Sequence, residues 1–138
     1  MSSRDLVYCD DVPKRHRSIE QLRKSTAWRR GLDLVLAIYR VTRDFPRDEL
    51  FNLTFQLRKA AVRIPSCIAE GRERDTVADR RHFLTTARSS VAEIETQLVT
   101  SRLLGYLSAA DLDSVLEITD HLSAMLTKLR RNIKPRPS

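Results

Sequence analysis

The feature that most constrains this fold is a seven-residue repeat. Val77, Leu84, Val91 and Leu98 lie seven apart, and Ala87, Ile94 and Ser101 form the adjoining stripe. Such spacing holds an apolar seam on one side of a long helix and matches the core of a left-handed helical bundle. Thr76-Val-Ala-Asp79 ahead of the run has the shape of a capping box with Asp in place of Glu. Gly105 supplies the stop, with Leu107 placed for the apolar contact that often accompanies a glycine cap.

A partner helix is needed to cover that seam, and the chain offers three. From Thr26, the residues Trp28, Leu32, Val35, Tyr39 and Thr42 recur at steps of four and three, with Leu34, Ile38 and Val41 on a flanking stripe available to a neighbouring subunit. Arg29, Arg30, Asp33, Arg40 and Arg43 then form the solvated side. Pro46 ends this helix and suits the first turn of the next, where Asp48 and Glu49 complement the positive dipole end. Leu50, Leu53, Leu57, Ala60, Ala61, Ile64 and Ile68 carry that second helix to Gly71, read as the positive-φ residue just past its end. Pro65 should kink it, with Ser66 at hand for freed backbone groups.

Ser108-Ala-Ala-Asp111 opens a last helix whose apolar series is Leu112, Val115, Leu116, Thr119, Leu122, Met125, Leu126 and Leu129. Its first half carries Asp111, Asp113, Glu117 and Asp120; its end carries Lys128, Arg130 and Arg131. Short connections make the expected fold all-α, an antiparallel up-down-up-down four-helix bundle over residues 25–132. Residues 1–24, with Pro13 and the cluster Lys14-Arg15-His16-Arg17, lack helical periodicity and are expected to form a basic, flexible extension. Residues 133–138 form a basic, proline-containing tail.

Two segments carry a more specific signal. Gln56-Leu-Arg-Lys-Ala-Ala-Val-Arg-Ile-Pro-Ser-Cys-Ile-Ala-Glu-Gly71 resembles the signature of the bacterial four-helix-bundle proteins encoded in intervening sequences of large-subunit ribosomal RNA genes. Tyr39-Arg-Val-Thr-Arg-Asp-Phe-Pro46 and Phe83-Leu-Thr-Thr-Ala-Arg-Ser-Ser-Val-Ala-Glu-Ile-Glu-Thr-Gln-Leu98 resemble the same pattern. The resemblance implies a left-handed four-helix bundle assembling into a ring-like homopentamer. It also implies kinship with accessory variability determinant proteins of diversity-generating retroelements, which are basic pentamers that bind nucleic acid and a reverse transcriptase. The chain departs from the family pattern at Arg63 and Cys67, where Ser and Asn are more usual.

Composition narrows the chemistry. With 138 residues the chain holds one domain, and 25 Lys+Arg against 18 Asp+Glu leave it at +7, a balance that favours anionic partners. No apolar stretch is long enough to span a membrane and no secretory signal is visible, so a cytoplasmic protein without membrane attachment is expected. Cys9 and Cys67 are too few for a disulfide framework or a zinc site. His16, His82 and His121 lack metal-ligand spacing, Cys67 has no histidine placed beside it, and Glu70 reads as a packing or ion-pair residue. Glu93 and Glu95, two apart on a helix, point different ways. The expectation is a protein that is not an enzyme and needs no cofactor.

The basic residues are the functional candidates. Arg81, Arg88 and Arg102 sit at multiples of seven on the long helix, with Glu95 interrupting. Lys59 and Arg63 are four apart beside Arg58, and Lys128, Arg130, Arg131, Lys134 and Arg136 close the chain. Repeated around a ring, these patches suit the backbone charge of RNA or DNA. Only 6% of residues are aromatic, and Trp28, Tyr39, Phe51, Phe55 and Phe83 fall mostly at core or seam positions, so contact through phosphates is expected rather than base stacking. The alternative is a protein-interaction scaffold whose charge serves specificity and solubility.

Overall fold

Helix starts lie where capping side chains sit. The computed structural model describes residues 16–137, and among them there are five α-helices and no strand. They are α1 (Arg17–Arg23), α2 (Thr26–Thr42), α3 (Leu53–Arg72), α4 (Val77–Leu103) and α5 (Ala109–Arg131), with a 3-10 turn at Arg47–Glu49. Ser25, Thr76 and Ser108 each accept a hydrogen bond from the backbone N–H three residues on, at 3.2, 3.1 and 3.1 Å. Each such cap is worth about 0.5–2 kcal/mol. At the far end of α4, Gly105 takes φ +83°, the Gly105 N–H reaches Arg102 O and the Tyr106 N–H reaches Ser101 O. This is a Schellman stop, and Leu107 beyond it is buried.

The four long helices touch in a closed cycle: α2 with α3, α3 with α4, α4 with α5, and α5 back to α2. Their shared interior holds Leu34, Ile38, Leu57, Ile64, Ile94, Leu98, Leu122 and Leu126, all without solvent access. The seven-residue series of α4 behaves as its spacing requires, with Leu84, Val91 and Leu98 buried and Val77 half-buried at the first turn. Its adjoining stripe, Ala87, Ile94 and Ser101, is buried as well.

In four places the structure differs from the sequence reading. On α2 the stripe read as flanking is core: Leu34, Ile38 and Val41 are buried, whereas the stripe read as the main face is buried only at its ends, Trp28 and Thr42, with Leu32 and Val35 half-buried and Tyr39 exposed. The same turn of α2 buries Asp33, read as solvated, where it pairs with Arg30 at 3.2 Å. The second long helix starts at Leu53 and not at Pro46. Pro46 instead leads the 3-10 turn; Asn52 then leaves helical geometry at φ −116°, ψ −105°, and the Glu49 carboxylate accepts from the Leu53 N–H at 3.1 Å. Residues 17–23, placed in the flexible extension, form α1, which packs on α2 and carries an Arg23–Glu20 ion pair. Residues 1–15 of that extension, Cys9 included, lie outside the described residues. In the tail, Ile133 packs against the core and Arg136 donates to the Arg72 carbonyl.

The fourth difference is Gly71. It lies inside α3 with ordinary helical φ, so its role is one of space. A Cβ there would sit 3.1 Å from Phe83 Cβ and 3.6 Å from the Arg80 carbonyl, which is how closely α3 approaches α4. At Gly31 on α2 a Cβ would meet the Pro65 ring at 3.4 Å, an ordinary van der Waals contact, so the approach there is close without requiring glycine. Pro65 itself is buried, and α3 continues through it. Gly71→Leu is expected to destabilise by about 1–3 kcal/mol through overpacking, even though leucine is the better helix former. Adding Phe83→Ala should restore part of that loss; an unchanged denaturation midpoint in the single variant would contradict the close approach.

Candidate nucleic-acid interface

The relative register of α4 and α5 decides which basic residues meet. Thr119 Oγ1 donates to Glu95 Oε2 at 3.0 Å, and Arg130 Nε donates to Thr85 Oγ1 at 2.8 Å. Ten residues back along α4 thus correspond to eleven forward along α5, and the two helices run antiparallel. The first part of α4, with Arg81 and Arg88, therefore lies beside the end of α5. Arg102 lies beside the start of α5, level with Asp111 and Asp113. The charge gradient along α5, which complements its own dipole, thereby sets its acidic start level with the end of α4 and its basic end level with the start of α4, the basic end of the groove.

At the basic end, cations from both helices converge. Arg88 lines a hollow with Thr85, Ser89, Ala92, Glu95 and Ser123. Lys128 and Arg131 line the next hollow, which shares Glu95 and Ser123 with the first, so the two form one continuous groove. Arg130, from α5, donates to Thr85 in the wall of the first hollow. All four cations are exposed, as is Arg81, seven residues and about 10 Å along the same side of α4 from Arg88. Two carboxylates face the same groove; Glu95 is engaged by Thr119, and Asp120 lines the hollow beside Lys128.

The remaining candidates stand apart from this groove. Arg102 donates from Nη1 to the Leu107 carbonyl at 3.1 Å and so holds the turn after α4. Arg58 donates from Nε to Thr42 Oγ1 at 3.0 Å, and its guanidinium lies 4.6 Å from the centre of the Tyr39 ring. Lys59 sits over Phe55, with Arg63 exposed one turn further along α3.

The family model for the 23S rRNA-intervening sequence protein matches residues 23–128. The chain belongs to this family. No curated protein matches it. The matched span takes in Arg81, Arg88 and Lys128 and stops just short of Arg130 and Arg131, so the basic groove straddles the end of the shared region.

In this 23S rRNA-intervening sequence protein His82, His121 and Cys67 lie on three different helices. Among the described residues no three His, Cys, Asp or Glu side chains are placed to hold a metal. His82 packs edge-on against Phe83, and His121 Nδ1 lies 3.4 Å from Arg30 Nη2. Cys67 is buried; burial pushes its thiol above the ordinary range, Glu70 adds to the rise and Arg63 opposes it. A thiol held neutral in this way is a poor nucleophile. Glu70, read as a packing or ion-pair residue, is exposed. No helix among the described residues is long and apolar enough to cross a membrane.

Sequence reasoning missed the aromatic residues. Phe51 is 84% exposed and Phe55 50%, and with Tyr39 they line one cleft together with Arg58 and Lys59. Helical spacing alone puts most of the aromatic residues at core or seam positions. The break at Asn52 carries Phe51 off the apolar face of α3, and the rotation of α2 toward Leu34 and Ile38 turns Tyr39 outward. The Asp48-Glu49 pair before Leu50 was a usable signal of that break, because the carboxylate of Glu49 caps α3 from outside.

Proposed function

We propose that this protein is a non-enzymatic, cytoplasmic, left-handed antiparallel four-helix bundle that assembles as a ring-like homopentamer. It holds the phosphate backbone of RNA or DNA in the basic end of its α4–α5 groove. The observation that carries this reading is that Arg88, Lys128 and Arg131, from two helices, line adjoining hollows of one groove, with Arg130 bonded to Thr85 of its wall. Guanidinium and ammonium groups spaced along a groove suit a continuous polyanion, and phosphate contacts position it without reading sequence.

Assembly into a pentamer follows from the resemblance. Leu34, Ile38 and Val41 no longer support it, since they are spent inside the subunit. Exposed apolar residues that could serve a subunit contact lie elsewhere, among them Leu103 at 82%, Leu104 at 54% and Val99 at 45% at the end of α4, and Leu50 and Val62 beside Phe51 and Phe55. The same residues are what favours the rival reading, a scaffold that docks another protein.

Titration of labelled structured RNA and duplex DNA across a salt series tests the proposal. Neutralising four phosphates on duplex DNA would give a log–log slope of about −3.6 per engaged subunit. Absence of binding at low salt would overturn the nucleic-acid reading in favour of the scaffold.

A further inference from the structure

A second surface, separate from the α4–α5 groove, combines aromatic rings with cations. The cleft between the end of α2 and the start of α3 encloses about 490 Å³ and is lined by Tyr39, Phe51, Thr54, Phe55, Arg58 and Lys59 among others. No carboxylate lines it. The Arg58 guanidinium is 4.6 Å from the Tyr39 ring centre, and Lys59 Nζ is 5.8 Å from that of Phe55. Arg58 is fixed through Nε by Thr42, which leaves its two Nη groups for another acceptor. Phe51 projects almost fully into solvent beside them.

We propose that this cleft binds unpaired nucleotides of a single strand, with bases stacked on Phe51 and Phe55 and the intervening phosphates on Arg58 and Lys59. The proposal rests on the reading of the protein as a nucleic-acid binder and names the class of strand that it prefers. Exposed rings forgo burial, and a cluster of them marks a contact surface. Two features select the occupant. Lysine is depleted from the centres of protein–protein contacts, yet Lys59 lines this cleft over the Phe55 ring. A ring interleaved with cations also fits a base flanked by phosphates, and every base has a face to offer once it is unpaired. In a duplex those faces are occupied by neighbouring base pairs, so the cleft discriminates by strandedness rather than sequence.

The test compares a labelled uridine oligonucleotide with an RNA duplex, using the full chain and the double variant Phe51→Ala/Phe55→Ala. The variant should bind the uridine strand roughly tenfold more weakly or worse, with duplex affinity and oligomeric mass unchanged. A 2-aminopurine placed in the single strand should be quenched on binding the unmodified protein, a readout that does not depend on the variant's folding. Unquenched 2-aminopurine, or equal losses on both nucleic acids, would overturn the inference. So would a change in oligomeric mass, which would make the cleft a subunit contact. If the unmodified protein binds duplex but not the uridine strand, this inference falls while the groove reading stands; if it binds neither, both fall.

Discussion

Leu34→Ala is expected to lower stability by about 2–5 kcal/mol, whereas Leu32→Ala, two positions away, should cost no more than about 1–2 kcal/mol. Both are leucines on the same helix, and propensity treats them alike. Leu34 has no solvent access, so truncation leaves a cavity between α2 and its neighbours; Leu32 is half-buried and its loss is partly filled by water. Urea melts of the two variants provide the comparison. The reverse ranking would mean that α2 faces the core with Leu32, Val35 and Tyr39, and the outward position of Tyr39 in the aromatic cleft would fall with it.

That inversion shows where periodicity stops being informative. The seven-residue series of α4 identifies its own core because the stripe is narrow and most of its other positions are charged, polar or small, Phe83, Val99 and Leu103 excepted. Helix α2 carries apolar residues over a wide arc, and a 3.6-residue period is equally satisfied by two overlapping stripes. The choice between them is made by packing against α3 and α5, which puts Leu34 and Ile38 inside, with Gly31 against the Pro65 ring. Capping boxes at Thr76 and Ser108 were legible because the side chain and the N–H it satisfies are three residues apart. Gly71 was misread for the complementary reason, since its requirement is set by Phe83 on another helix.

The candidate site divides the same way. That Arg81, Arg88, Lys128, Arg130 and Arg131 are exposed cations could be read from helical spacing. That most of them meet in one groove while Arg102 stands beside Asp111 and Asp113 depends on the antiparallel register of α4 and α5, which the contacts of Glu95 with Thr119 and Thr85 with Arg130 set. The aromatic cleft was hidden because it depends on a helix break and on the rotation of α2 together.

The larger functional effect is expected from the triple variant Arg88→Gln/Lys128→Gln/Arg131→Gln. Three fewer neutralised phosphates should make the salt slope shallower by about 2–3 and weaken binding at ~50 mM salt on the order of 10²–10³-fold, because fewer counterions are released. These residues are exposed and make no core contact, so the denaturation midpoint should stay close to that of the parent. Arg102→Gln serves as the control, since its guanidinium holds a turn outside the groove and its loss should leave the salt slope alone.

The most direct measurement is therefore the salt slope of structured-RNA binding for the parent, the triple variant and Arg102→Gln side by side. A steep slope in the parent, a clearly shallower one in the triple variant and a parental one in Arg102→Gln is the predicted result. Equal slopes in all three, or greater sensitivity at Arg102 than in the groove, would contradict the assignment of the α4–α5 groove as the phosphate site.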